Sequence, residues 1–176
     1  MSADALTRDL WRAATAPPPD GGWMGLHDQV MGGRSNGRAQ LLSTDADRLA
    51  HLQLSGQVSL AHGGGFASFR CRLTAPQPLD GARSVVLVLR GDGGVYKCCL
   101  HRQPDSDGVQ WQADVVAPHD WTTLSLPLSH FVARRRGREM HERPWQPDDV
   151  IHQIGIMAVR SEPGPFELHL ASIALA

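Results

Sequence analysis

Gly33-Arg34-Ser35-Asn36-Gly37 has the spacing of a serine nucleophile between glycines, and His62-Gly63-Gly64-Gly65 resembles a loop that offers amide N–H groups to an oxyanion. A nucleophile of that kind needs a strand before the serine and a helix after it, so that Oγ stands exposed on a sharp turn. Here residues 38–42 read as a strand, and the glycine loop follows the serine where it should precede it. No catalytic residue is therefore assigned. His141-Glu142 lacks a second histidine one helical turn away, and Cys71, Cys98 and Cys99 lack the spacing of metal ligands. No transition-metal site and no organic cofactor is expected, although Asp28 or Asp92 could join loop carbonyls on a calcium ion. Gly91-Asp92-Gly93-Gly94 could cradle a phosphate, but no helix follows to lend its dipole, and a hairpin turn is the simpler reading. Arg134-Arg135-Arg136-Gly137-Arg138 is the one basic cluster. It reads as a solvated, mobile loop, with a contact for an acidic partner as the alternative. Of the six residues with large polar-edged rings (five tryptophans and Tyr96), Trp111 and Tyr96 would make a sugar-stacking platform if they faced a concave surface.

These residues need elements to hold them. Residues 2–14 are expected to form a short amphipathic helix, capped by Ser2, with Leu6, Leu10 and Trp11 on one face. The run Ala16-Pro17-Pro18-Pro19-Asp20-Gly21-Gly22 ends it. Everything after residue 22 reads as strand. Residues 66–73 alternate, with Ala67, Phe69, Cys71 and Leu73 on one face and Ser68, Arg70 and Arg72 on the other. Residues 85–89 are continuously apolar, as in a central strand buried on both faces. Residues 95–101 are expected to return from the 91–94 turn as its hairpin partner. Further strands are expected at 38–42, 49–54, 109–116, 121–126, 151–159 and 166–175. Nine or ten strands joined by Gly, Pro and Asp turns point to an all-β sandwich or jelly roll, with residues 1–22 as lead-in and 23–176 as one domain.

The composition agrees with a single domain. The chain has 176 residues, 41% of them hydrophobic, with 18 glycines and 12 prolines to punctuate short segments. Seventeen basic residues against 18 acidic ones leave no global field to draw nucleic acid or an anionic membrane. No stretch approaches the roughly 20 apolar residues of a membrane span. Three cysteines make no disulfide framework, which suits a reducing compartment, and no signal-peptide run opens the chain. Lys97 is the only lysine and Asn36 the only asparagine, the usage of a GC-rich genome. A bacterial cytoplasmic protein is the resulting expectation.

Three segments in order carry a resemblance. Trp23 leads to Asp28-Gln29-Val30-Met31-Gly32-Gly33-Arg34-Ser35. Gly56-Gln57-Val58-Ser59-Leu60 then runs into Gly64-Gly65-Phe66-Ala67-Ser68 and Arg70, with His62 and Gly63 where two asparagines are usual. Arg90-Gly91-Asp92-Gly93 with Tyr96 is the third. Trp121, Leu126-Pro127-Leu128, Phe131, Ile154-Gly155-Ile156-Met157 and Gly164-Pro165-Phe166-Glu167-Leu168 follow in the same order. Together they resemble the thirty-kilodalton complex I intermediate-associated protein family over about residues 20–175. The resemblance implies a galactose-binding-like jelly roll that binds without catalysis. It further implies an assembly chaperone whose partners are subunits or intermediates of respiratory NADH:ubiquinone oxidoreductase. A carbohydrate or other small ligand is the alternative partner. Asp28, Met31, Arg70, Arg90, Asp92 and Tyr96 sit on the sharpest motifs and are expected to cluster as the binding site, with Trp111 near them.

Overall fold

Side chains that alternate in polarity demand an extended backbone, because successive residues of a strand leave on opposite faces. The computed structural model describes residues 7–27, 34–43, 49–63, 65–104 and 108–176, and these form thirteen strands in two antiparallel sheets. One sheet runs in the order β3 (Asn36–Leu42), β4 (His51–Val58), β13 (Gly164–Leu175), β6 (Ser84–Gly91) and β9 (Thr122–Pro127). A further strand, β1 (Arg8–Arg12), extends this sheet by pairing with the end of β13. The other sheet runs β11 (Arg138–Glu139), β10 (Val132–Arg135), β8 (Gln110–Val116), β7 (Val95–His101), β12 (Val150–Val159), β5 (Phe66–Pro78) and β2 (Trp23–His27).

The core lies between the two sheets. Leu52, Leu54, Leu87, Leu89, Leu168 and Leu170 point in from the six-stranded sheet, and Phe69, Cys98, Leu100, Ile154 and Ile156 meet them from the seven-stranded one. Each such side chain contributes about 1.5–3 kcal/mol on burial. The result is an all-β sandwich of the jelly-roll kind, as the turn spacing implies.

Four local expectations change. The N-terminal helix is not formed by the described residues: Arg8–Arg12 is a strand, followed by a single 3-10 turn at Ala13–Thr15. Trp11 goes into the core beside Trp23, ring centroids 5.6 Å apart, and its indole N–H donates to the Gly21 carbonyl. Pairing with β13 offers this short segment backbone partners that an isolated three-turn helix lacks in water. Strand β6 is buried on one face only. Val85, Leu87 and Leu89 face the core while Val86 and Val88 are half-exposed on the outer face of this sheet. The Gly91-Asp92-Gly93-Gly94 turn is real, but β6 and β7 belong to different sheets, so it is a corner that carries the chain across the sandwich. Lastly, the arginine cluster is a tight hairpin, with Arg134 opposite Glu139 and Arg135 opposite Arg138. Its two turn residues, Arg136 and Gly137, both have positive φ (50° and 78°), which gives the type I′ twist that suits two-residue hairpins.

Candidate functional site

The motif residues divide between a corner and two outer faces. At the corner, Asp92 closes the crossing between β6 and β7. Its carboxylate accepts from the Gly94 N–H (2.9 Å), the Glu167 N–H (3.1 Å) and the Tyr96 hydroxyl (2.9 Å). Arg160 adds an ion pair at 3.3 Å and lays its guanidinium over the Tyr96 ring, 4.5 Å from the centroid. Burial pushes the Asp92 carboxyl up, but these donors and the arginine outweigh it and hold it below the ordinary carboxylate range. Tyr96 is pushed the other way, first by burial and then by its bond to the carboxylate. A Cβ on Gly91 would come within 2.7 Å of the Ala117 side chain and 2.9 Å of the Glu167 carbonyl oxygen, so the corner admits only glycine there. Every group around Asp92 is a donor, which equips the turn to fix the fold and makes it hostile to a cation.

Ser35 is equally committed. It is buried, and its hydroxyl accepts from the Ser59 N–H at 2.9 Å, tying the start of β3 to the end of β4. Strand follows it, not helix, so the geometry of a nucleophile elbow is missing.

The outer face of the seven-stranded sheet differs in kind. Strand registers place four cross-strand rows on it. Phe66, Val159, Val95 and Val116 make the first; Leu26, Ser68, Met157, Lys97 and Asp114 the second. Met24, Arg70, Gly155, Cys99, Gln112 and Val132 make the third; Arg72, Gln153, His101, Gln110 and Arg134 the fourth. In the first row Val95, Val116 and Val159 are 49, 54 and 39% exposed, high for three adjacent aliphatic residues. The deeper rows are polar yet buried: Ser68, Arg70, Cys99, His101, Gln112 and Gln153 are all nearly inaccessible. Gly155 permits this, because a Cβ there would meet Phe69 and Cys99 at 3.0 and 3.3 Å and press on Arg70. His101 is 1% exposed, and among the described residues neither ring nitrogen has a hydrogen-bond partner. Burial, reinforced by the charge of Arg70, lowers its pKa to about 4, so the ring is neutral at physiological pH. Cys99 is pushed up to about 12 by burial against the opposing pull of Arg70 and Lys97, and is an inert thiol.

The expected cluster is thus not brought together. Asp28 and Met31 lie outside the described residues. Asp92 and Tyr96 bond each other at the corner, and Tyr96 is buried in the core. Arg70 and Arg90 stand on opposite outer faces of the sandwich. Arg90 pairs in register with His169 and lies 5.4 Å from the Trp121 ring, beside His51 and His169, whose rings are 5.0 Å apart. Trp111 faces inward and is buried against Trp145 (5.3 Å), and the Arg102 guanidinium lies over both rings, 4.2 and 4.4 Å from their centroids. It is no open platform. Apart from Phe66, Ser68, Arg70 and Gly155, the residues of the outer face carry no motif, although the alternation of Val95, Lys97, Cys99 and His101 with Tyr96, Cys98 and Leu100 gives β7 two distinct sides.

The order of the motifs along one continuous sandwich decides the family. The chain belongs to the Complex I intermediate-associated protein 30 (CIA30) family, whose model matches residues 14–170. The described residues that carried the resemblance lie at the Asp92 corner, at the Ser35 tie and at the start of β5. No curated protein sequence matches the chain. Among solved structures it is similar to a family 11 carbohydrate-binding module from Clostridium thermocellum bound to a β-1,3-1,4-mixed-linked tetrasaccharide, at 14% identity and TM-score 0.71, covering 98% of this chain and 96% of that one. A family 30 carbohydrate-binding module matches at 12% identity and TM-score 0.58, covering 97 and 98%. An exo-β-agarase matches over 96% of this chain but 24% of its own, at 11% identity and TM-score 0.58. Identities this low establish a shared fold and leave the ligand open. Among the described residues no helix is long and apolar enough to cross a membrane, and no three His, Cys, Asp or Glu side chains are grouped to hold a metal.

Proposed function

We propose that this protein acts without turnover, by holding a protein partner on the outer face of its seven-stranded sheet, and that the partner is an intermediate in the assembly of respiratory NADH:ubiquinone oxidoreductase. The observation that carries the reading is the row Phe66, Val159, Val95 and Val116. Exposed aliphatic residues in one contiguous row, bordered by Met157 and Lys97, are what a protein-binding surface presents. Membership of the CIA30 family supplies the class of partner. A temporary holder suits a Kd near micromolar, about −8 kcal/mol, so that the partner can leave as assembly proceeds.

A second reading, binding of a carbohydrate on the same face, is favoured by the fold shared with a tetrasaccharide-binding module. It has less support from the side chains. None of the tryptophans, nor Tyr96, lies on that face: Trp23 and Tyr96 are core, Trp11 packs on Trp23, Trp111 and Trp145 pack together under Arg102, and Trp121 sits beside Arg90 and His51 of the other sheet. Deletion of the gene in its host separates the two. Reduced levels of assembled NADH:ubiquinone oxidoreductase are expected. Normal levels, together with tight oligosaccharide binding by the purified protein, would replace the holding reading with the sugar-binding one.

A further inference from the structure

At the β11 edge of the seven-stranded sheet, the arginine hairpin and a neighbouring cleft form a second surface with its own chemistry. The two sides of the hairpin are not alike. On one side Arg134 faces Glu139, 3.7 Å away, an ordinary opposite-charge cross-strand pair. On the other side Arg135 stands directly opposite Arg138, a like-charge pair, which in a sheet is destabilising. Among the described residues no carboxylate pairs with either arginine. Edge protection explains charges on a short edge strand but does not require like charges to be opposed.

Arg135 also lines a cleft of about 360 Å³, whose other walls include Arg102, Val109, Trp111 and Glu142. Arg102 is already held: it lies over the Trp111 and Trp145 rings, donates to the Arg143 carbonyl at 3.1 Å and pairs with Asp149 at 3.3 Å. Asp149 in turn takes both terminal nitrogens of Arg143, at 2.9 and 2.6 Å. With Arg102 engaged in this knot, Arg135 is the cationic side chain of the cleft left without an ion pair among the described residues, with Arg138 opposite it on the hairpin, Glu142 on another wall, and Val109 and the Trp111 ring as the apolar part.

We propose that the cleft and the Arg135–Arg138 side of the hairpin bind an acidic, extended segment of a protein partner. One carboxylate bridges the two guanidinium groups and an adjacent apolar side chain enters the cleft. Planar guanidinium forks match carboxylates in bidentate fashion, and the cross-strand register sets the two arginines side by side. A narrow peptide fits better than an anionic bilayer, because Glu139 and Glu142 flank the arginines and would face an extended negative surface as well, while the chain as a whole carries a net charge of −1. The proposal deepens the holding reading and rests on it for the origin of the segment.

The test uses the purified full chain and a short glutamate-rich peptide containing one leucine. Its glutamine counterpart and vesicles of anionic phosphatidylglycerol serve as comparisons. Binding is read by backbone amide NMR and by tryptophan fluorescence. The glutamate peptide is expected to shift amides at 108–111 and 134–139, and binding should weaken as salt rises. The charge reversal R135E with R138E should weaken it about tenfold or more, and R135K with R138K by a few-fold, since charge remains but the fork is lost. Both positions are exposed, and unchanged NMR dispersion would verify that the variants are folded. Binding indifferent to charge reversal, equal binding of the glutamine peptide, or binding of vesicles but not of peptide would each overturn the proposal. These outcomes concern the isolated protein and are independent of the deletion phenotype, so the two readings can fail separately.

Discussion

The Asp92 corner and the outer face of the seven-stranded sheet are joined by a single strand, β7, yet they are built on opposite terms. Around Asp92 every donor finds an acceptor, and Tyr96 and Arg160 are locked against each other. A few residues along the same strand, Val95 is left half in solvent and His101 is buried with both nitrogens unbonded among the described residues. A satisfied network fixes a fold; buried polar groups without partners and exposed aliphatic rows are costs that structure alone does not require. The difference teaches that the most recognisable motif in this chain serves the scaffold, while the surface proposed for a partner lies on the less conspicuous side of the same strand.

That contrast can be broken at several points. The largest effect is expected from Asp92→Ala, which strips three hydrogen bonds and an ion pair from the corner and strands the buried Tyr96 hydroxyl. It should cost about 3 kcal/mol in denaturant or thermal unfolding while leaving partner capture by the folded fraction unchanged. Because donors hold the Asp92 carboxyl below its ordinary range, that contribution is present at neutral pH and fades as pH falls through the acid range.

His101 gives an effect of similar size but confined to acid. Its folded pKa is near 4 against about 6.5 unfolded, so the unfolded chain binds the extra proton between those values. Stability from the neutral ring is fully present above about pH 6.5 and is lost as pH drops toward 4, to a limit of about 3 kcal/mol. His101→Phe should flatten the pH dependence of stability in that window; an unchanged slope would place the depression elsewhere.

Tyr96→Phe is smaller, about 1 kcal/mol, since only one hydrogen bond to Asp92 is lost and the ring still packs under Arg160. The least stability change is expected at Val95→Asp and Val116→Asp, within about 0.5 kcal/mol of wild type, because both side chains are largely in water already. A drop of several kcal/mol there would mean that the row is structural and that the contrast between corner and face is false.

How much of this was legible in the sequence follows from the range of the signals. Period-two alternation in 66–73 is local, and β5 forms there. The 91–94 turn was legible as a turn, but glycine chemistry says nothing of whether the next strand pairs with the last or crosses to another sheet. Leu6, Leu10 and Trp11 have helical spacing, yet the β13 edge that captures Arg8–Arg12 lies more than 150 residues away. The candidate face was hidden for the same reason. Val95, Val116, Val159 and Phe66 become one row only when four strands are in register, and no spacing along the chain announces it. Arg70 and Arg90 looked alike as motif arginines, but their strands belong to different sheets.

The central claim, that the valine row holds the partner, is tested most directly by complementation of a deletion strain, read as the amount of assembled NADH:ubiquinone oxidoreductase. Wild type and a control with Thr123→Asp and Ser125→Asp, exposed on the opposite sheet, should restore it, whereas the folded Val116→Asp variant, at the most exposed position of the row, should not. Full restoration by the valine variant would contradict the account.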